Sequence, residues 1–343
     1  MQSIEKGGKA LYIVDATFYD MNAAFKQPIV TPKIRLERRK ALVVELNMND
    51  GESYFGECNA FETDWYAPTT IADVEADIRA WLASIRGKDF STYEAALKLA
   101  DRLQTTDARH VIVMAFYTMF HSLGEVVVDY GATVSGLTDE QLVKLEQTRP
   151  QRVKLKWTPH VLKDVQRLQS LSHQPAIAID ANESLGEADI STAMKLQDQH
   201  ILYIEEPFKV LNEEQLEAMN QAMPIAIDEK ATDLSQIKAL VRDYPISVVV
   251  VKPFRLGGID RALEILKWLS DHGIRSVVGG MYEYGLSRYF TALLAQYASL
   301  PSDITPSGYY YDMDFVQDSG LLENGQLKFS KPVVDKQVLE DPR

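Results

Sequence analysis

A single cysteine, Cys58, in 343 residues rules out an intrachain disulfide and suits a reducing cytoplasm. No run of about 18 apolar residues occurs, so no segment reads as a membrane span. No basic stretch followed by an apolar core marks a leader, and the expected location is cytoplasmic. Basic residues are outnumbered. The 36 Lys and Arg against 49 Asp and Glu leave a formal net charge of −13, which argues against a nucleic-acid binder, whose affinity rests on basic contacts to phosphate. Neither a G-x-G-x-x-G nor a Walker pattern is present. Gly257-Gly258 and Gly279-Gly280 therefore read as points of close backbone approach, not as phosphate loops. What remains is an ordinary globular composition, 46% hydrophobic and 25% charged, with length enough for two domains.

Five short apolar runs in the second half each end on a charged residue. They are Val153–Lys156, Ala176–Asp180, Ile201–Glu205, Ile225–Asp228 and Val248–Lys252. Each is too short for a helix and carries β-branched residues, so each reads as a buried strand. The charged ends are separated by 24, 25, 23 and 24 residues, the span of one strand plus one crossover helix. Such spacing puts all five ends at one face of a parallel sheet. The alternation starts near Val126, with Val126–Val134 as the expected first strand and Asp303–Thr305 as the last. About 180 residues is short for a full eightfold barrel of roughly 250, so either the crossovers are compact or one position is incomplete.

The first 60 residues read as antiparallel sheet, with a hairpin turn at Asn49-Asp50-Gly51. Two stretches, Met21–Lys33 and Cys58–Pro68, are expected to be loops. Three helices are expected over 70–86, 92–103 and 108–123. The tail after Ser307, with a strand at Leu327-Lys328-Phe329, is expected to return to the N-terminal domain.

Asp180, Glu205 and Asp228 put three oxygen donors around one point, and none of the six histidines ends a strand. Hard oxygen ligands favour Mg²⁺ or Mn²⁺ over zinc. A lone Asp at a strand end reads more readily as a helix cap, but three in register, one followed by Glu206-Pro207, do not. Lys154 and Lys156 are two apart and point to one side of their strand. Their mutual repulsion is expected to lower their pKa values, as a base working near neutral pH requires.

These strings resemble the enolase superfamily. Lys154-Leu155-Lys156 is similar to its Lys-x-Lys motif, Asp180-Ala181-Asn182, Glu205-Glu206-Pro207 and Asp228-Glu229 to its metal-ligand motifs, and Lys252-Pro253 to its second lysine. The resemblance implies an α/β fold, a modified TIM barrel (β/α)7β over residues 126–306. An N-terminal α+β capping domain would occupy 1–125, with the tail 307–343 returning to it. Within the superfamily, Tyr54–Phe61, Lys154–Trp157, Pro253–Asp260 and Gly279–Gly285 resemble the o-succinylbenzoate synthase family of Gram-positive bacteria. That resemblance implies syn dehydration of 2-succinyl-6-hydroxy-2,4-cyclohexadiene-1-carboxylate to 2-succinylbenzoate through an enediolate, in menaquinone biosynthesis. It implies one Mg²⁺, or Mn²⁺, held by Asp180, Glu205 and Asp228, with Lys156 as base and acid and Lys252 as the opposing cation. Lys154 is expected at the substrate carboxylate, together with Asn182, Gly280, Met281 and Glu283. Phe25, Trp65 and Tyr66 are expected to form a lid. The implied partner is a small molecule, with no nucleic acid and no membrane, and the sequence assigns no oligomeric state.

N-acylamino acid racemization is the rival reading, because it too needs a lysine on each face of an α-carbon. Asp312-Met313-Asp314 raises dipeptide epimerization, which uses an Asp-x-Asp near the chain end. A non-catalytic metal scaffold would not need both lysines beside the carboxylates.

Overall fold

Gly51 adopts φ +87°, the left-handed backbone that the Asn-Asp-Gly turn requires, and its N–H donates to Met48 O at 3.0 Å. This turn joins the second and third strands of an antiparallel sheet, β1 (Ile13–Val30), β2 (Arg35–Met48) and β3 (Ser53–Glu57). The computed structural model describes residues 10–31 and 33–343. Most of the expected loop Met21–Lys33 is strand, and Pro32 within it lies outside the described residues, as do the first nine of the expected capping domain. The ladder runs from Asn22↔Lys40 to Ala24↔Arg38, then shifts register before resuming at Ile29↔Leu36. Pro28, which has no N–H to donate, falls within that shift.

Three helices follow: α1 (Ile71–Ser84) and α3 (Thr106–Phe120) pack on the sheet, and α2 (Tyr93–Ala100) packs on α3. Thr70 and Asp73 close a capping box at the start of α1. Helix α3 is buried nearly all round, because it lies between this sheet and the second half of the chain.

The expected strand Val126–Val134 is two strands. β4 (Val126–Asp129) leaves the barrel, whereas β5 (Gly131–Val134) opens it. The alternation then runs α4 (Asp139–Thr148), β6 (Arg152–Lys156), α5 (Val161–Gln169), β7 (Ala176–Asp180), α6 (Glu187–Met194) and β8 (Ile204–Glu205). It continues with α7 (Glu213–Ala222), β9 (Ile225–Ile227), α8 (Leu234–Asp243), β10 (Ile246–Val251), the one-turn α9 (Pro253–Leu256), α10 (Ile259–Asp271), β11 (Arg275–Val278) and α11 (Gly285–Ala295). The seven strands β5 to β11 are parallel and in chain order. The expected eighth strand is reduced to two parallel bridges, Tyr130↔Ser302 and Gly279↔Asp303, one at each edge of the curled sheet. Ala178, Tyr203, Ala226, Val248, Val250 and Val277 form a small buried cluster apart from the main core.

The tail contributes β12 (Ser319–Glu323) and β13 (Gln326–Phe329), and the strand at Leu327–Phe329 pairs with β4. The tail meets β1 at two places: Lys26 N–H donates to Tyr310 O at 2.8 Å, and the last residues reach the other part of the strand. Phe18 N–H donates to Arg343 O at 3.0 Å and Asp20 pairs with the Arg343 guanidinium at 3.0 Å. Among the described residues, no helix is long and apolar enough to cross a membrane.

The contact between β3 and α3 sets how the sheet sits over the barrel. A Cβ at Gly56 would lie 2.0 Å from the Val111 carbonyl oxygen, so β3 approaches α3 only because residue 56 is glycine. Gly56→Ala is expected to destabilise the protein by about 1–3 kcal/mol, the usual range for overpacking. Thermal denaturation checks this, and an unchanged midpoint would show that the contact yields freely.

Candidate active site

Strand register delivers the charged ends together. Lys156 is paired with Asp180, and Asp180 with Glu205, across adjacent strands. Asp228 and Lys252 each sit one residue beyond β9 and β10. Because Lys154 and Lys156 alternate with Val153 and Leu155, both reach the same side. Lys154 Nζ donates to Glu205 at 3.0 and 3.1 Å and to Asp303 at 2.7 Å. Lys156 Nζ donates to Asp180 Oδ2 at 2.5 Å. Across the sheet, Lys252 Nζ donates to Asp228 Oδ2 at 2.5 Å, and Arg255 holds the other oxygen at 2.9 Å. Thus Lys154 joins Asp180, Glu205 and Asp303 into one set of ion pairs that includes Lys156, and Asp228 forms a second set with Lys252 and Arg255. The two sets make one network only through longer-range attraction and repulsion, Asp228 acting on Glu205 and Lys154 on Asp228.

Three members of that network, Arg255, Asp303 and Arg152, were not singled out from sequence. Arg255 lies three residues after Lys252, one turn of α9, so helical spacing was the available signal. Asp303 had none. It lies about 150 positions from its partners Lys154 and Arg152, and only barrel closure brings it there. Arg152 is fully buried and also donates to Tyr203 Oη at 2.8 Å.

Burial alone would lower the Lys154 ammonium, but Asp303, Glu205 and Asp180 outweigh it and hold its pKa well above the usual range. The expected lowering by mutual repulsion is therefore corrected for Lys154, because anions surround it more closely than its fellow lysine does. Lys252 is likewise raised against the effect of burial, chiefly by Asp228. Burial would raise Asp228, yet Lys252 and Arg255 bring it down to about 2. Glu205 goes the other way. Burial pushes it well up, Lys154 opposes, and the like charges of Asp180, Asp228 and Asp303 add to the rise.

A carboxylate raised by neighbouring carboxylates is a place where a cation is electrostatically wanted, and the donors are all oxygen. Among the described residues, no three His, Cys, Asp or Glu side chains are drawn close enough to hold a metal ion as they stand. The reason is visible in the pairs above: each carboxylate is turned to an ammonium or guanidinium instead of to a common centre. The donor chemistry fits a divalent ion once those side chains turn.

Side-chain exposure separates the lysines: 36% for Lys156 against 7% for both Lys154 and Lys252. Asn182 donates from its backbone N–H (3.0 Å) and its amide (2.5 Å) to Asp180 Oδ1, so it steadies that carboxylate. Gly279 leaves room for Lys252, whose Cε would be 3.3 Å from an added Cβ; a Cβ at Gly280 would strike Glu283 Oε2 at 2.1 Å. Met281 is half-buried beside them. Tyr66 Oη accepts from Arg255 at 2.8 Å and from Lys252 at 3.4 Å, which brings the Cys58–Pro68 segment onto the charged cluster. Trp65 packs edge-on against Phe61 and at a tilt against Tyr66, one layer out. Phe25, on strand β1 and not on a loop, packs against Tyr282, Tyr310 and Tyr311. Asp312 is exposed and paired with Lys26 at 2.8 Å, and Asp314 holds Arg288 at 3.0 Å, so the Asp-x-Asp is engaged outside the charged cluster.

Glu283 is buried, accepts from Thr291 Oγ1 at 2.7 Å and from Asn59 Nδ2 at 3.4 Å, and burial pushes its pKa up to about 7. An unfolded Glu titrates near 4.3, so between that value and about 7 the folded state holds a proton the unfolded state lacks. Stability from this group is full below that window and falls as pH rises through it, by an amount of order a few kcal/mol. Chemical denaturation at several pH values from 5 to 8 should show a shallower decline in Glu283→Gln than in the wild type, and equal slopes would contradict the assignment.

The family model described as enolase C-terminal domain-like matches residues 138–333. A relative named o-succinylbenzoate synthase, from Bacillus subtilis (strain 168), is 28% identical over 95% of this chain and 94% of its own. An N-succinylamino acid racemase of Thermus thermophilus is 28% identical over 49% of this chain and 47% of its own. Among solved structures, an enolase-superfamily member from Listeria innocua superposes with TM-score 0.84 at 19% identity, covering 97% of this chain and 98% of its own. A dipeptide epimerase from Enterococcus faecalis, complexed with Mg and the dipeptide L-Leu-L-Tyr, gives 0.77 at 18% identity, covering 97% and 100%. With its curled parallel sheet, its N-terminal antiparallel sheet and a family model spanning more than half its length, this chain belongs to the enolase superfamily.

Proposed function

We propose that the chain is an o-succinylbenzoate synthase, dehydrating 2-succinyl-6-hydroxy-2,4-cyclohexadiene-1-carboxylate to 2-succinylbenzoate in cytoplasmic menaquinone biosynthesis. The observation that carries this over its rivals is the near full-length match to relatives of that name, whereas the Thermus racemase match spans half the chain.

Lys156 is the base. It is the accessible lysine, and its ammonium is paired to Asp180 through a single oxygen. Asp180, Glu205 and Asp228 would hold a divalent ion, and with those carboxylates so engaged Lys156 and Lys252 would be free to face the substrate from opposite sides. A bound Mg²⁺ or Mn²⁺ supplies positive charge to the substrate carboxylate as the α-proton leaves. Lys156, as the neutral amine, takes that proton and becomes an ammonium. The electron pair left on the α-carbon passes into the ring and expels the hydroxyl from the neighbouring carbon. The same ammonium returns the proton to the departing oxygen, so water leaves and the ring becomes aromatic. Lys252, held charged beside Tyr66, stabilises the negative charge from the other face, while Tyr66, Trp65 and Phe25 exclude water. Lys154 fixes Glu205 and Asp303.

Racemization of N-succinyl amino acids is the second reading, favoured by the two lysines on opposite sides of one cluster. Dipeptide epimerization has less support, because Asp312 and Asp314 are engaged elsewhere.

With the cyclohexadiene acid as substrate, Lys156→Ala should lose more than the roughly 10²–10⁴-fold usual for a general base, since one residue serves both proton transfers. Lys252→Ala should also be severe. In D₂O with an N-succinyl amino acid it should retain α-proton exchange on the face served by Lys156. Chelation should abolish turnover, and Mg²⁺ or Mn²⁺ should restore it. Near-wild-type dehydration by Lys156→Ala would remove it as the base, and no turnover of the diene by the metal-loaded wild type would remove the proposed activity.

A further inference from the structure

Lys230 stands two residues after Asp228 and touches all three loops that follow the carboxylate-bearing strands. Its Nζ donates to Glu183 Oε1 at 2.5 Å, in the loop after β7. It donates to Glu206 Oε2 at 2.6 Å and Phe208 O at 3.2 Å, in the loop after β8. It belongs itself to the loop after β9. Glu206, 1% exposed, completes the knot: its Oε1 accepts from Asp228 N–H at 2.8 Å and Lys230 N–H at 3.0 Å.

The backbone around this knot is held in an unusual conformation. Asn182, Glu183 and Glu206 have φ of +47°, +60° and +43°, the left-handed region that non-glycine residues avoid. Each lies within three residues of Asp180 or Glu205. Glu183 N–H donates to Glu206 O at 2.7 Å, so the first two loops are also joined through their strained residues. Such a conformation persists only where surrounding contacts over-determine it. Among the described residues, the one cation paired with both loops is Lys230, and it is the ion-pair partner of the Glu206 carboxylate, which is buried next to Glu205 and Asp228.

We infer that Lys230 is a positioning residue that sets the spacing of Asp180, Glu205 and Asp228 by clasping their three loops through Glu183 and Glu206. The inference rests on the reading of those three carboxylates as ligands of one divalent ion. A chelating site is only as tight as its donors are pre-spaced, and groups that orient ligands typically contribute 10–100-fold to metal affinity.

Calorimetric titration of Mg²⁺ into the purified protein and into Lys230→Met, Lys230→Arg, Glu183→Gln and Asp228→Asn tests both levels, with each variant's folding checked by thermal unfolding. Lys230→Met is expected to bind Mg²⁺ about 10–100-fold more weakly, with kcat recovering at saturating Mg²⁺. Lys230→Arg should fall between it and the wild type, and Glu183→Gln, which removes the rim arm of the clasp, should weaken binding in the same direction. A lysine that only stabilised the fold would lower the unfolding midpoint and leave the Mg²⁺ affinity of the folded protein unchanged. Wild-type affinity in Lys230→Met and Glu183→Gln, with binding lost in Asp228→Asn, would overturn the inference and leave the ligand reading standing. If Lys230→Met fails to fold, Lys230→Arg and Glu183→Gln carry the same comparison. Wild-type affinity in Asp228→Asn would overturn the ligand reading itself.

Discussion

Four carboxylates at the mouth of the barrel are each matched to a cation, and this pairing is the constraint around which the rest is arranged. Asp180, Glu205, Asp228 and Asp303 face Lys156, Lys154, Lys252, Arg255 and Arg152. An isolated charge in such surroundings is too costly to bury, so the strands must stay in a register that keeps opposite charges adjacent. A slip of one residue in β6 would send both lysines into the apolar layer that Val153 and Leu155 now occupy. The same matching keeps the carboxylates turned to their own cations and apart from a shared centre. Under the proposed function, chemistry at this site would be an exchange of partners: the lysines that neutralise the carboxylates at rest would be the groups released to move protons.

The N-terminal domain is tied to this mouth by buried polar contacts. Arg109 on α3 holds Asp260 at 2.8 Å and donates to the Gly257 carbonyl at 2.6 Å, which fixes the turn after the Lys252–Arg255 segment. Tyr66 reaches that segment directly. Glu57, at the end of β3, accepts from Tyr284 N–H and Ser287 N–H, both at 2.8 Å, at the start of α11. That is where a helix presents unpaired N–H groups and favours a carboxylate. Burial nonetheless pushes Glu57 up to about 8, so this tie is held at the edge of ionisation. Cap and barrel therefore share the segments that carry the reactive groups, and loss of either tie would be felt at the lysines.

The strand ends were legible because a charged residue after an apolar run of four or five can face only a polar site, and a spacing near 24 leaves little choice of topology. Helices with a clear apolar stripe and a Thr cap, such as Ile71–Ser84, were equally readable. The misreadings have local causes. Met21–Lys33 contains prolines and polar residues, yet β2 is long enough to keep pairing with it, so tertiary pairing overrode composition. Val126–Val134 looks continuous, but Tyr130 marks a change of sheet that no periodicity announces. Lys154 was assigned a lowered pKa from its neighbour in sequence, whereas Asp303 and Glu205, both remote in sequence, decide it. Lys230 followed a recognised motif by one residue and still carried no signal, since its role depends on three loops meeting.

The most direct test of the central exchange of partners is diffraction from crystals of the protein grown with Mn²⁺, using the metal's anomalous scattering. The expected result is one peak bonded to oxygens of Asp180, Glu205 and Asp228 together, with Lys156 and Lys252 turned away from the pairs they make at 2.5 Å. A peak held by other side chains, or those three carboxylates still paired to their lysines beside an occupied metal, would contradict it.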